Sequence, residues 1–289
     1  MLGAMAGDMA GSVSEGAPVK SKEVGLFGPL ATFTDDTVLT AAVAEAVLGD
    51  RNYGGAIKAY ARRHPLRGYG GSFIRWVAEG GSEPYNSFGN GSAMRVSPVA
   101  YAFDSVEEVL REAERSAECT HNHPEGIKGA QATALAVFLA RKGEDRESIR
   151  KQITERFGYD LSRTVDEIRP GYSFDVTCQG SVPEAIIAFL DSESYEDAVR
   201  NAISLGGDSD TQACIAGAIA EAFYKDIPIE FLRLIGSQLT EDLWDVTIRF
   251  YRRYGIPGIL DAVMRQRIEG RRDPSGDGLL RGQIPRLRS

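Results

Sequence analysis

Apolar residues recur three and four positions apart along most of this chain, and alternation of the strand kind is scarce. Val38, Leu39, Ala42, Val43, Ala46 and Val47 share one face of a predicted helix, and Ile215, Ala218, Ile219, Ala222 and Phe223 share another. Windows of the same period cover Val106–Ala117, Gly126–Arg141, Arg146–Phe157, Val182–Leu190, Tyr195–Leu205, Ile229–Ile235 and Thr240–Arg267. Helix-start chemistry precedes several of them: Ser105 ahead of Val106, Ser194 ahead of Tyr195, and Pro183 in a first turn. The pattern predicts an all-α protein. Two stretches lack the period, Ser12–Phe33 and the glycine-punctuated Gly80–Gly91, and read as long loops of the kind that carry function or are disordered. From Gly270 onward five arginines and little apolar content predict a loose tail over 270–289.

Two acidic-hydroxyl clusters stand directly ahead of the first two helical faces: Thr34-Asp35-Asp36-Thr37 and Gly206-Gly207-Asp208-Ser209-Asp210-Thr211. Asp and Thr are ordinary helix caps, where a side-chain oxygen accepts a backbone N–H and negative charge suits the dipole. A cap needs one short polar residue, however, and both clusters hold four in a row. Carboxylates crowded this way repel unless a cation neutralises them. Four aspartates and two threonine hydroxyls form an all-oxygen donor set, which suits Mg²⁺ or Mn²⁺ over Zn²⁺. Two ions about 3.5–4 Å apart would neutralise such a set and orient a water or a sugar hydroxyl. Because the clusters need each other from opposite ends of the chain, residues 1–269 are expected to form a single compact domain.

Composition narrows the function. A net charge of −8 over 289 residues argues against general nucleic-acid binding, which requires clustered Lys and Arg. Cys119, Cys178 and Cys214 are odd in number and widely spaced, as expected of reduced thiols in a cytoplasmic protein. The start, Met1–Gly11, is small and apolar but has no basic n-region, and no apolar run approaches the roughly 20 residues of a membrane span.

Five segments in order resemble the ADP-ribosylglycohydrolases, the family of dinitrogenase-reductase-activating glycohydrolase and the ADP-ribosylarginine and ADP-ribosylserine hydrolases. They are Gly7-Asp8-Met9-Ala10-Gly11-Ser12-Val13-Ser14-Glu15, Phe33-Thr34-Asp35-Asp36-Thr37, Gly89-Asn90-Gly91-Ser92-Ala93-Met94-Arg95, Thr120-His121 and Gly206-Gly207-Asp208-Ser209-Asp210-Thr211. The resemblance implies an orthogonal helical domain with two Mg²⁺ (or Mn²⁺) ions in a cleft. Their implied ligands are Thr34, Asp35, Asp36, Asp208, Asp210 and Thr211. It implies hydrolysis of the bond between the anomeric carbon of ADP-ribose and an acceptor, commonly an arginine or serine side chain; the compactness and short loops of the chain make arginine the default. Glu15 takes the position of the family's functional loop glutamate, with Asp35 as the alternative acid/base.

The Gly89-Asn90-Gly91 turn, with Ser87 and Phe88 before it, is expected against the diphosphate and ribose. His121 matches a ligand-contacting histidine, while Arg95 is expected to orient the loop. Tyr172 and Phe174 could stack on adenine or simply pack in the core. Two other readings stay open: a non-catalytic module that binds ADP-ribose, and a helical metal-dependent phosphohydrolase.

Overall fold

The computed structural model describes residues 1–80 and 83–270, with side chains as far as residue 266. Sixteen helices account for the regular structure of the described residues. The first eight are α1 (Leu2–Gly11), α2 (Asp35–Leu48), α3 (Tyr53–Arg63), α4 (Gly71–Ala78), α5 (Gly91–Met94), α6 (Ser97–Ala102), α7 (Val106–Glu118) and α8 (Pro124–Lys142). The remainder are α9 (Arg146–Phe157), α10 (Val165–Ile168), α11 (Cys178–Leu190), α12 (Tyr195–Ser204), α13 (Ser209–Tyr224), α14 (Ile229–Gln238), α15 (Glu241–Tyr254) and α16 (Ile259–Gly270). An isolated antiparallel bridge between Gly89 and Thr177 is the extended pairing among the described residues. No helix among them is long and apolar enough to cross a membrane.

The all-α expectation holds, and three of the helix starts follow the predicted chemistry; Pro183, expected in a first turn, instead lies inside α11, which starts at Cys178 with Thr177 as its cap. Thr34, Ser105 and Ser194 each accept a backbone N–H two or three residues on. One window is corrected: Thr240–Arg267 is two helices, α15 and α16, not one. Gly255 is extended, Pro257 has no N–H to donate, and Gly258 takes a left-handed φ of +88°, so the helix cannot run through. The tail read over 270–289 lies, past Gly270, outside the described residues.

Helix α1 gave no periodic signal for a physical reason. All ten of its residues are buried, so it has no polar face to alternate with an apolar one. It lies antiparallel on α13 at backbone-to-backbone distance. A Cβ placed on Gly3, Gly7 or Gly11 would come within 2.5, 2.1 and 2.4 Å of the carbonyl oxygens of Gly217, Ala213 and Ser209. Glycine every fourth residue keeps one stripe of α1 free of side chains. Beyond this pair, α2 packs on α3, α6 and α15, and α8 runs among α5, α6, α7, α11 and α13. Val38, Leu39, Leu135, Ile186, Ile215 and Ile219 are among the buried side chains of this single core.

Candidate active site

The antiparallel packing of α1 on α13 delivers the end of one helix to the start of the other. The Ser209 hydroxyl donates to the Gly11 carbonyl at 2.9 Å, stitching the two together. One turn back, Asp8 is fully buried. Its carboxylate accepts from the amides of Thr34 and Thr37 at 3.1 and 3.0 Å and from both of their hydroxyls. Asp8 therefore caps the start of α2 from a neighbouring helix, using amides that no intrahelical carbonyl can reach. In the sequence Asp8 falls within the first motif segment, with no role of its own. The signal was present: one carboxylate in an otherwise apolar run must be partnered if that run is buried.

With the helix starts fixed in this way, both acidic clusters face one cleft of about 320 Å³. Glu15, Asp35, Asp36, Asp208, Asp210 and Thr211 line it. Carboxylate oxygens of Glu15, Asp208 and Asp210 lie within 4.8 Å of one another. The Thr211 hydroxyl donates to Asp36 Oδ2 at 3.2 Å, joining the clusters directly. Thr34 stands behind Asp36, with its hydroxyl on Asp8 at 2.8 Å. The other Asp36 oxygen, Oδ1, is buried without a hydrogen-bond partner. A buried, unpaired carboxylate oxygen among oxygen-only donors fits a hard cation.

The charge balance argues the same way. Burial, and then the charge of Asp210, push the Asp8 carboxyl up to about 7 and Asp208 to about 8. The same two causes raise Glu15, Asp35 and Asp36. Hydrogen bonds from Thr37, Thr34 and Asn90 only partly offset this. Without a cation, the folded chain thus holds protons that the unfolded chain would release. The associated stability is complete below about pH 4 and is lost as pH rises through about 7 and 8. Metal-free protein is therefore expected to melt at progressively lower temperature between pH 5.5 and 8.5, and millimolar Mg²⁺ to remove most of the decline. A melting temperature that rises across this range without metal would contradict the assignment.

The facing wall comes from Ser87–Gly91 and the end of α7. Ser87, Gly89, Asn90, Gly91, Arg95 and His121 all line the cleft. The Asn90 amide nitrogen donates to Asp208 Oδ2 at 2.7 Å and to Ser181 at 3.2 Å, so this side chain steadies an acidic residue as well as lining the cleft. The turn itself is pinned by Asn90 N–H to Val176 O and by Cys178 N–H to Phe88 O. The Phe88 ring lies 5.3 Å from that of His123 and outside the cleft walls. Phe174 lines the cleft and is half-exposed, whereas Tyr172 does not line it. Tyr172 packs against Gly207, donates to the Gly180 carbonyl at 2.7 Å and accepts from Gln212 at 3.0 Å, bracing the turn before Asp208.

Comparison with known proteins identifies relatives that cover most of the chain. Residues 1–257 match the family described as ADP-ribosylglycohydrolase. ADP-ribosylhydrolase ARH3 of Homo sapiens is 32% identical over 256 residues, covering 66% of this chain and 70% of the relative. ADP-ribosylarginine hydrolase Tri1 of Pseudomonas putida (strain GB-1) is 28% identical over 203 residues, covering 64% of this chain and 53% of that protein. A solved structure described as an ADP-ribosylglycohydrolase-related protein complex superposes with a TM-score of 0.67 at 26% identity, covering 87% of this chain and 95% of its own.

Proposed function

The chain belongs to the ADP-ribosylglycohydrolase family and is an enzyme acting on ADP-ribose linkages, and from that premise we propose a Mg²⁺-dependent hydrolase that reverses mono-ADP-ribosylation. The observation that carries the proposal is the convergence of Glu15, Asp208 and Asp210 within 4.8 Å, in the cleft that Asp35 and Asp36 also line. Asp35, Asp36, Asp208, Asp210 and Thr211 would hold two Mg²⁺ ions (Mn²⁺ as a substitute), with Thr34 supporting Asp36 from behind. When bound, the ions would supply positive charge for the ribose hydroxyls and for water.

The chain's own groups account for the rest. Glycosyl cleavage develops positive charge at the anomeric carbon, which fixed carboxylates beside it stabilise. Glu15 is the exposed carboxylate of the group, at the end of the Ser12–Phe33 loop nearest α1. That access suits it to exchange a proton with water or the leaving atom, while the more enclosed Asp35 serves as a ligand. Ser87 and the Gly89–Gly91 turn would receive the diphosphate, and Phe174 offers the adenine an apolar face.

An arginine-linked substrate is favoured as the acceptor by charge. The cleft and its Asp8 support hold six carboxyl groups, Asp8, Glu15, Asp35, Asp36, Asp208 and Asp210, against the four positive charges of two Mg²⁺ ions. A cationic guanidinium suits the remainder. Three free thiols are consistent with a cytoplasmic setting.

The test is a panel of ADP-ribosylated arginine, serine and nucleic-acid substrates with Mg²⁺. Free ADP-ribose is the expected product, released fastest from arginine. AMP or phosphate as product would indicate a phosphohydrolase, and tight ADP-ribose binding without release from any substrate a reader. Glu15→Gln is expected to lower kcat by about 10²–10⁴ with ADP-ribose binding retained. Near-normal kcat in that variant would move the proton-transfer role to Asp35.

A further inference from the structure

Arg95 is completely buried although it carries a charge. Its Nη2 donates to the Ser116 carbonyl at 3.0 Å and to the Thr120 hydroxyl oxygen at 2.8 Å. A guanidinium has no acceptor, so the Thr120 oxygen must accept. The proton of Thr120 then needs an acceptor of its own, and His121 Nδ1 lies 2.7 Å away. If Nδ1 carried the proton instead, the Thr120 hydroxyl would be left with the neighbouring Cys119 sulfur, a weak acceptor. The Thr120 hydroxyl and His121 Nδ1 are satisfied together when Nδ1 accepts and Nε2 keeps the proton, while Arg95 Nε and Nη1 have no hydrogen-bond partner.

The free edge of the imidazole faces the ligand cleft. His121 is one of its walls, and a Cβ built on Gly91 or Gly89 would sit 3.2 or 3.7 Å from Nε2. Burial, and secondarily the Arg95 charge, hold His121 well below its usual range and so keep it neutral. A neutral ring has one N–H to offer, and its tautomer decides whether that N–H points into the cleft or away from it.

We propose that Arg95 and Thr120 are positioning residues which fix His121 as the Nε2–H tautomer, so that it donates a hydrogen bond to an oxygen of the ligand held at the Gly89–Gly91 turn. The ligand part rests on the reading of the cleft as an ADP-ribose site; the tautomer does not. Arg95 supplies the direction of the relay, since a donor-only group makes the Thr120 oxygen accept and leaves the hydroxyl proton for Nδ1, a far better acceptor than the Cys119 sulfur.

Long-range ¹H–¹⁵N correlation spectra of the full chain labelled at histidine nitrogens test this directly, with His121→Gln assigning the signals. Nδ1 is expected with a pyridine-type shift and Nε2 with a pyrrole-type shift. Thr120→Val is expected to abolish the single-tautomer pattern and to weaken ADP-ribose binding about tenfold, the scale of one hydrogen bond. Thr120→Ser should restore both. A pyrrole-type Nδ1 in the unsubstituted chain overturns the proposal, and so does a folded Thr120→Val protein with unchanged tautomer and affinity. Should Thr120→Val fail to fold, the spectrum of the unsubstituted chain still decides. The predicted tautomer in a chain that binds no ADP-ribose would sink the ligand assignment and leave the relay standing.

Discussion

Asp210→Asn is expected to reduce turnover by at least about a thousandfold and, at the same time, to raise the melting temperature of the metal-free protein. The two effects have one origin. Asp210 is the leading charge acting on the carboxyl groups of Asp8, Glu15, Asp35, Asp36 and Asp208. Neutralising it removes repulsion that bound protons or a cation otherwise relieve, so the folded state gains while the proposed metal site loses a ligand. Asparagine retains an oxygen for the Thr211 amide, which Asp210 Oδ1 accepts at 2.9 Å, so the start of α13 is preserved. At about 2–4 °C per kcal/mol for a chain of this size, the gain should be several degrees above pH 7. Melting curves with and without Mg²⁺, beside an ADP-ribose release assay, check both halves. Full activity without metal, or a fall in metal-free melting temperature, would refute the site.

Gly7→Ala is expected to be the most damaging glycine-to-alanine change among the described residues. Its Cβ would lie 2.1 Å from the Ala213 carbonyl oxygen and 2.6 Å from the carbonyl carbon, both backbone atoms that no rotamer change can move. The helices must separate, and overpacking of this kind costs about 3 kcal/mol or more, equivalent to roughly 10 °C. The loss extends to function. Asp8 is the next residue along α1, and the Ser209–Gly11 stitch lies one turn further, so separation pulls apart the supports of both acidic clusters. Metal affinity should therefore fall together with stability. Gly25→Ala, with no atom within 4 Å of its added Cβ, is the matched control and should change neither. A Gly7→Ala protein that melts normally would mean the helices have room the structure does not have.

How much of the site was legible from sequence depended on whether a residue declares itself locally. The starts of α2 and α13 did, since four polar residues ahead of an apolar face exceed what a cap requires, and Asp36 and Thr211 are indeed in contact. Asp8 declared only that it needs a partner, as one carboxylate in an apolar run; which residues supply it did not show, because Thr34 and Thr37 lie at the start of another helix. Tyr172 and Phe174 look equivalent in a Gly-Tyr-Ser-Phe stretch, yet only Phe174 lines the cleft, while Tyr172 is drawn behind it by Gly180 and Gln212. The break between α15 and α16 was written in Gly255, Pro257 and Gly258, but the apolar period continues across them.

The sequence by itself determined the helical class, most of the helix starts, the oxygen-only chemistry of the two clusters and the family the chain belongs to. Each of these depends on residues within a turn or two of one another, or on an ordered set of motifs. Only the tertiary structure decided that Asp8 braces Thr34 and Thr37, that Glu15 reaches Asp208 and Asp210, and that Arg95 is joined through Thr120 to His121. Apart from the neighbouring Thr120 and His121, these contacts join segments from 25 to nearly 200 positions apart in the chain. Most depend on how closely two helices can approach, as the missing side chains of Gly3, Gly7 and Gly11 allow, and distance of that kind has no signature in local periodicity.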